Sequence, residues 1–274
     1  MKGDIDLRPE CGLHFRPVTL TWWKDILVLR LFGILLVAAA LVSGCGGGST
    51  TLEPTPDPSA LLTTVISNIR QMKTFRMVLE QNGAEYPFKI SLDAAGGSVN
   101  AVLRRAEAQF VAPDVLYAQV TLKVSVATIG IDIFARGSNQ WLRLPPAPWL
   151  NIPFAESFNP FDILAPDSGF QAALSTLESL EFIGDETLDD GTPVYHLRGT
   201  ANGQSVKDLL VGLLDSVNDV TVDAYIAKDT SLPALLTITQ PGTATDTQPD
   251  TNWRVEVYDY NAEPQIDDPE KGNP

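Results

Sequence analysis

Apolar and polar residues alternate with a period of two through most of this chain, and that alternation commits it to a fold built on β-sheet with one buried face. Tyr86, Phe88, Ile90 and Leu92 alternate with Pro87, Lys89, Ser91 and Asp93, and Phe75, Met77 and Leu79 do the same just upstream. The pattern continues through 99–103, 116–126, 129–134 and 141–144 and resumes over 194–197, 220–226, 235–239 and 253–260, with Gly, Asn or Asp near most breaks. About ten strands are predicted. Asp189-Asp190-Gly191-Thr192 reads as a hairpin turn, so turn chemistry explains its paired acids better than catalysis does.

Three segments switch to helical spacing. Ser59 is the expected cap of a helix carrying Leu62, Val65, Ile66 and Ile69 on one face. A second helix over 170–180 aligns Phe170, Ala173, Leu174 and Leu177, and a third over 205–217 aligns Val206, Leu209, Leu210 and Leu213. No βαβ alternation appears, so the class is α+β with a mainly antiparallel sheet.

Width then constrains shape. Ten strands about 4.8 Å apart span roughly 45 Å, whereas three helices about 10 Å across cover roughly 30 Å. The sheet is expected to curl around its helices as a strongly curved half-barrel. Either side chains fill its inside or an apolar hollow remains there. Ile131 and Ile133 on one strand face, with Leu174, Leu177, Leu209 and Leu213 on the helix stripes, are the candidate lining of such a hollow.

Upstream of this domain the run Leu31 to Val42 is apolar, follows Lys24 and Arg30, and ends in Leu41-Val42-Ser43-Gly44-Cys45. Twelve residues at about 1.5 Å rise span about 18 Å, short of a hydrocarbon core of about 30 Å, so the pattern reads as an export signal over 1–44. The last five residues resemble the lipobox of bacterial lipoproteins, which implies lipidation at Cys45 and an N-terminal membrane anchor. Residues 45–58, rich in Gly and Ser and then Pro, form the expected tether, 59–266 the folded domain and 267–274 a C-terminal tail. Cys11 falls in the leader, so the mature chain keeps no thiol for a disulfide.

Charge excludes a class of partner. With 19 Lys and Arg against 34 Asp and Glu, the net charge of −15 would repel nucleic acid phosphates. Catalytic and metal chemistry find little to work with. His196 is the single histidine after the leader, and a hydrolytic triad or zinc site needs more donors than it supplies. It is expected to face solvent from a strand. The acids Asp132, Asp185, Glu186, Asp267 and Asp268 are expected at the surface, with no catalytic residue, metal or cofactor among them.

The segment 145–161, PPAPWLNIPFAESFNPF, has too many prolines for a sheet interior and is too apolar for a solvated loop. It either packs over the core edge or borders the mouth of a hollow. In the second case Trp149, Phe154, Phe158 and Phe161 are its candidate ligand-contacting residues.

Four stretches carry a family resemblance: 159–170 (NPFDILAPDSGF), Gly184-Asp185-Glu186-Thr187 followed by 194–200 (VYHLRGT), Val222-Asp223-Ala224-Tyr225-Ile226, and Tyr258-Asp259-Tyr260-Asn261. In order and spacing they resemble the LppX/LprAFG lipoprotein family. The resemblance covers roughly 59–266. It implies a half-barrel like that of the Lol lipoprotein carriers, closed by helices around a hydrophobic cavity that binds acyl lipids or glycolipids for transfer across the cell envelope. The expectation is therefore a monomeric, non-enzymatic, extracytoplasmic protein lipid-anchored at the cell membrane or the outer envelope face, with a membrane transporter as a possible partner. The alternative is a structural or regulatory surface lipoprotein that recognises another protein.

Overall fold

The computed structural model describes residues 55–92, 97–153, 158–207, 209–210, 212–214, 216 and 218–271. The leader with Cys45, most of the tether, and Phe154 lie outside the described residues.

Helix α1 (Pro58–Ile69) opens the domain and turns Leu62, Val65 and Ile69 into the core. Its cap is Asp57, two residues earlier than Ser59: the Asp57 carboxylate accepts from the backbone N–H of Ser59 at 2.8 Å and of Ala60 at 3.1 Å. Pro58 suits the first helical position because it has no N–H to leave unpaired, which moves the cap back to the acid before it.

Eleven antiparallel strands follow: β1 (Thr74–Asn82), β2 (Pro87–Leu92), β3 (Gly97–Val111), β4 (Val115–Val124), β5 (Ala127–Arg136), β6 (Asn139–Arg143), β7 (Glu178–Thr187), β8 (Pro193–Asn202), β9 (Asp219–Ala227), β10 (Pro233–Gln240) and β11 (Thr251–Tyr258). Their order in the single sheet is β6-β5-β4-β3-β1-β11-β10-β9-β8-β7, with β2 also paired to β3. The 15-residue β3 serves two partners along one side, β1 through 105–111 and β2 through 97–102. Among the described residues no pairing joins β6 to β7, so the sheet is an open half-barrel. Register shifts at Leu103/Arg105, Pro233/Leu235 and Phe182/Gly184 mark bulges, the devices by which strands bend.

One face of the sheet holds the core. Phe75, Met77 and Leu79 of β1, Val255 and Val257 of β11, Leu236 and Ile238 of β10, and Val222, Ala224 and Ile226 of β9 pack with the α1 residues. Phe75 stacks on Phe110 at 4.9 Å and meets Phe170 edge-on at 5.9 Å. Trp253, fully buried, gives its indole N–H to Gln240. Tyr260 donates to the carbonyl of Pro233 at 2.7 Å, and burial pushes its hydroxyl far above its ordinary pKa.

Two of the three expected helices differ from expectation. Helix α2 is only Gly169–Ser175, because β7 begins at Glu178. Leu177 continues the helical stripe in sequence, but the free edge of β8 takes the following residues as a hydrogen-bonding partner, adding the eleventh strand. The expected helix over 205–217 is a 3-10 turn, Gly203–Val206, followed by separate turns. Gly203 approaches Ser216 so closely that a Cβ would lie 2.5 Å from its carbonyl oxygen, and Gly212 adopts φ 75°, which ends any continuing helix. The hairpin 189–192 forms as predicted, with Thr192 N–H donating to Asp190 at 2.9 Å.

Candidate functional site

Burial along the inner face of β5 is graded. Ala135 is 0% and Ile133 8% exposed, whereas Ile131 and Ile129, further toward the start of the strand, are only partly buried. Their neighbours share the trend: Phe88 and Ile90 of β2 and Val124 at the end of β4 are partly buried apolar side chains against the core. Phe182 and Tyr195 repeat the pattern near the other edge, with rings 6.0 Å apart. The inner face is thus sealed at one end and incompletely covered toward the strand ends where β5 begins and β4 stops.

The candidate residues divide accordingly. Ile133, Leu174 and Leu209 are buried in the core cluster. Ile131, Leu177, Leu213 and Phe158 pack against that cluster while keeping some exposure. Phe161 is 49% exposed at the 3-10 turn Pro160–Ile163, where its N–H donates to Asn159.

Trp149 lies on the opposite face. Alternation along β4, β5 and β6 puts Tyr117, Phe134 and Trp141 in one outward row, and Gln119, Asp132 and Arg143 in the next. Leu150 forms an isolated bridge to Leu142, beside which Trp149 meets Tyr117 edge-on at 6.5 Å and lies under the Arg143 guanidinium at 4.4 Å. Trp149 therefore stands outside the sheet and Phe158 inside it, where the Phe158 carbonyl accepts from Gln140 at 3.2 Å.

Two expectations about the outer face need correction. Asp132 is 5% exposed, not a surface acid, because Arg143 covers it and donates from Nε at 2.8 Å. Asp268 likewise has its side chain buried against Arg136 at 2.6 Å. Burial would raise its pKa, but the Arg136 hydrogen bond and charge outweigh that and hold the carboxyl below its ordinary value. His196 does sit on the outer face yet is only 4% exposed. Its Nδ1 lies 2.6 Å from Glu186, its Nε2 lies 2.7 Å from Asp223, and Tyr225 stacks on it at 4.3 Å. Arg198 donates to the same Asp223 oxygen at 2.7 Å. These partners come from β7, β8 and β9, so the cluster ties three adjacent strands together. Among the described residues, no group of three or more His, Cys, Asp or Glu side chains could hold a metal ion.

Fold and site together define an open antiparallel half-barrel whose apolar inner face is only partly covered. The chain belongs to the LppX_LprAFG lipoprotein family, whose model matches residues 57–266. It is 28% identical over 237 residues to the lipoarabinomannan carrier protein LprG of Mycolicibacterium smegmatis, covering 84% of this chain and 94% of that protein. To LprG of Mycobacterium tuberculosis strain H37Rv it is 25% identical over 183 residues, 66% of this chain and 72% of that one. Its fold is similar to the crystal structures of LprF from Mycobacterium bovis (TM-score 0.56, 14% identity, 78% and 99% covered) and of the Mycobacterium tuberculosis lipoprotein LppX (TM-score 0.50, 18% identity, 77% and 100% covered).

Proposed function

We propose that this protein is a lipid-anchored carrier that holds the acyl chains of a lipid or glycolipid against the inner face of its half-barrel and moves them across the cell envelope without making or breaking bonds. The observation that carries this reading is the fall in burial along β5 from Ala135 to Ile129, which leaves apolar side chains without full cover inside the curve of a sheet. An acyl chain supplies that cover, at roughly 0.8 kcal/mol per buried methylene. The name of the LprG relatives, lipoarabinomannan carrier protein, supports the same role. Ile131, Leu177, Leu213 and Phe158 are the proposed contacts, with Phe154 and Phe161 completing the mouth and Ile133, Leu174 and Leu209 backing the hollow as core. A membrane transporter is the expected source or destination of the cargo.

Anchoring assigns its own roles. Acylated Cys45 would hold the monomeric domain at the cell membrane or the outer envelope face through the tether at 45–58. Cys45→Ala should leave an uncleaved precursor or a protein without its lipid, read by mass spectrometry of the intact chain. Carriage is tested by native mass spectrometry of the purified protein before and after exposure to phosphatidylinositol vesicles. Bound acyl lipid is the expected result; protein that stays empty under both conditions overturns the reading.

A further inference from the structure

The carrier role uses the inner face of the sheet and leaves a groove on the outer face without a task. It lies between Arg143, Pro146, Ala147, Pro148 and Trp149 on one side and Asp267, Asp268 and Pro269 on the other, with a volume of about 350 Å3. That is within the range of about 300–1000 Å3 found for small-molecule sites. We propose that this groove binds the neutral glycan headgroup of a glycolipid whose acyl chains occupy the inner hollow, an inference that rests on the carrier reading above.

The chemistry of the walls selects the ligand. The indole of Trp149 and the rings of the flanking prolines offer flat apolar surface, suited to the C–H faces of sugar rings, while carboxylates and a guanidinium supply hydrogen bonds beside it. The charges of the groove are already paired. Arg143 donates to buried Asp132 and sits 2.7 Å from Asp267, and Asp268 is held by Arg136. An ionic ligand would have to break one of these pairs. A hydroxyl does not: Asp267 holds Arg143 through Oδ2, and a carboxylate with about four acceptor positions can take a further donor without releasing its partner.

Placement links the groove to the hollow. Asp132, beneath Arg143, is flanked in sequence by Ile131 and Ile133, which point to the inner face, so groove and hollow lie on the two sides of the same stretch of β5. Only β6 stands between this stretch and the free edge of the sheet. Trp149 stands outside this edge and Phe158 inside it, so groove and hollow flank the same edge of the sheet.

The full chain should be titrated with lipid-free oligosaccharides of mannose and of arabinose while the Trp indole N–H signals are followed by NMR, and separately with a long-chain fatty acid by native mass spectrometry. At least one oligosaccharide should shift one indole signal, the one that Trp149→Leu removes, and Asp267→Ala should weaken that binding roughly tenfold, the scale of a lost hydrogen bond to a charged group, with fatty acid uptake unchanged. Wild-type protein that takes up fatty acid but shifts no indole signal overturns the glycan site and leaves the carrier role standing. Oligosaccharide binding equal in wild type, Asp267→Ala and Trp149→Leu overturns it as well. Glycan binding without any acyl uptake would instead retain the groove and remove the carrier role.

Discussion

Leu174 and Ile131 both carry the apolar character expected of a hollow, yet they sit at different depths, and their substitutions should separate stability from carriage. Leu174 is fully buried beside Phe170 in the core, so Leu174→Ala should cost about 2–5 kcal/mol in denaturant unfolding. Ile131→Trp adds bulk where the inner face is only partly covered. It should change stability by less than about 1 kcal/mol and lower acyl lipid uptake severalfold, measured as the loaded fraction in native mass spectra. On the outer face, His196→Ala removes the group that joins Glu186 to Asp223 and leaves Tyr225 unstacked. Asp223 keeps Arg198, so the expected loss is about 1–3 kcal/mol by denaturant titration, with lipid uptake unaltered because the cluster lies on the other side of the sheet. The sequence marked His196 as facing outward and was right about its direction. Its burial escaped notice because covering it takes Glu186 and Asp223 from two other strands, and strand neighbours are set by register across the sheet.

At the scale of elements, the tail after β11 behaves as part of the domain. Gln265 exchanges two hydrogen bonds with Gln109 of β3, at 2.7 and 2.8 Å, and the chain then passes over β5, where Arg136 pairs with Asp268 and Glu270, and reaches Arg143 through Asp267. A boundary at 266 therefore cuts through a strap that lies across four strands. Asp268 ties it most firmly, and its carboxyl is held below the value of about 3.9 that it would have unfolded. A lowered folded pKa gives stability that is present above that unfolded value and is lost as pH falls through the folded one. Residues 263–271 should thus be protected from hydrogen exchange at pH 6 and become exposed in acid below about pH 4, before the strands themselves exchange; in Asp268→Asn the protection should already be reduced at pH 6. The segment 145–161 has the same character. Its composition announced that it would cover apolar surface but not on which side; Trp149, beside the Leu142–Leu150 bridge, lies outside, and Phe158 packs inside.

For the whole molecule, an open sheet with an incompletely covered inner face should gain stability from cargo. A ligand that binds the folded state alone adds about 2.7 kcal/mol at a free concentration one hundred times its Kd, so Tm should climb with added acyl lipid. Differential scanning fluorimetry across a lipid titration measures this. A Tm insensitive to lipid in protein first stripped of it would contradict carriage by the folded domain.

Period-two alternation determined ten of the eleven strands, because which side chains face the core is a local property of a strand, and the absence of βαβ alternation between those runs and the helical segments determined the α+β class and the antiparallel sheet. Charge and the scarcity of His and Cys narrowed the partners and chemistry in the same local way. The tertiary structure decided what depends on neighbours distant in sequence. The free edge of β8 turned residues after Thr176 from helix to strand, and the positive φ of Gly212 ended any third helix. Arg143 and Arg136 buried acids that the sequence left at the surface. Burial of the inner face along β5 was settled by which elements happen to lie above each residue, and no pattern within β5 encodes that cover.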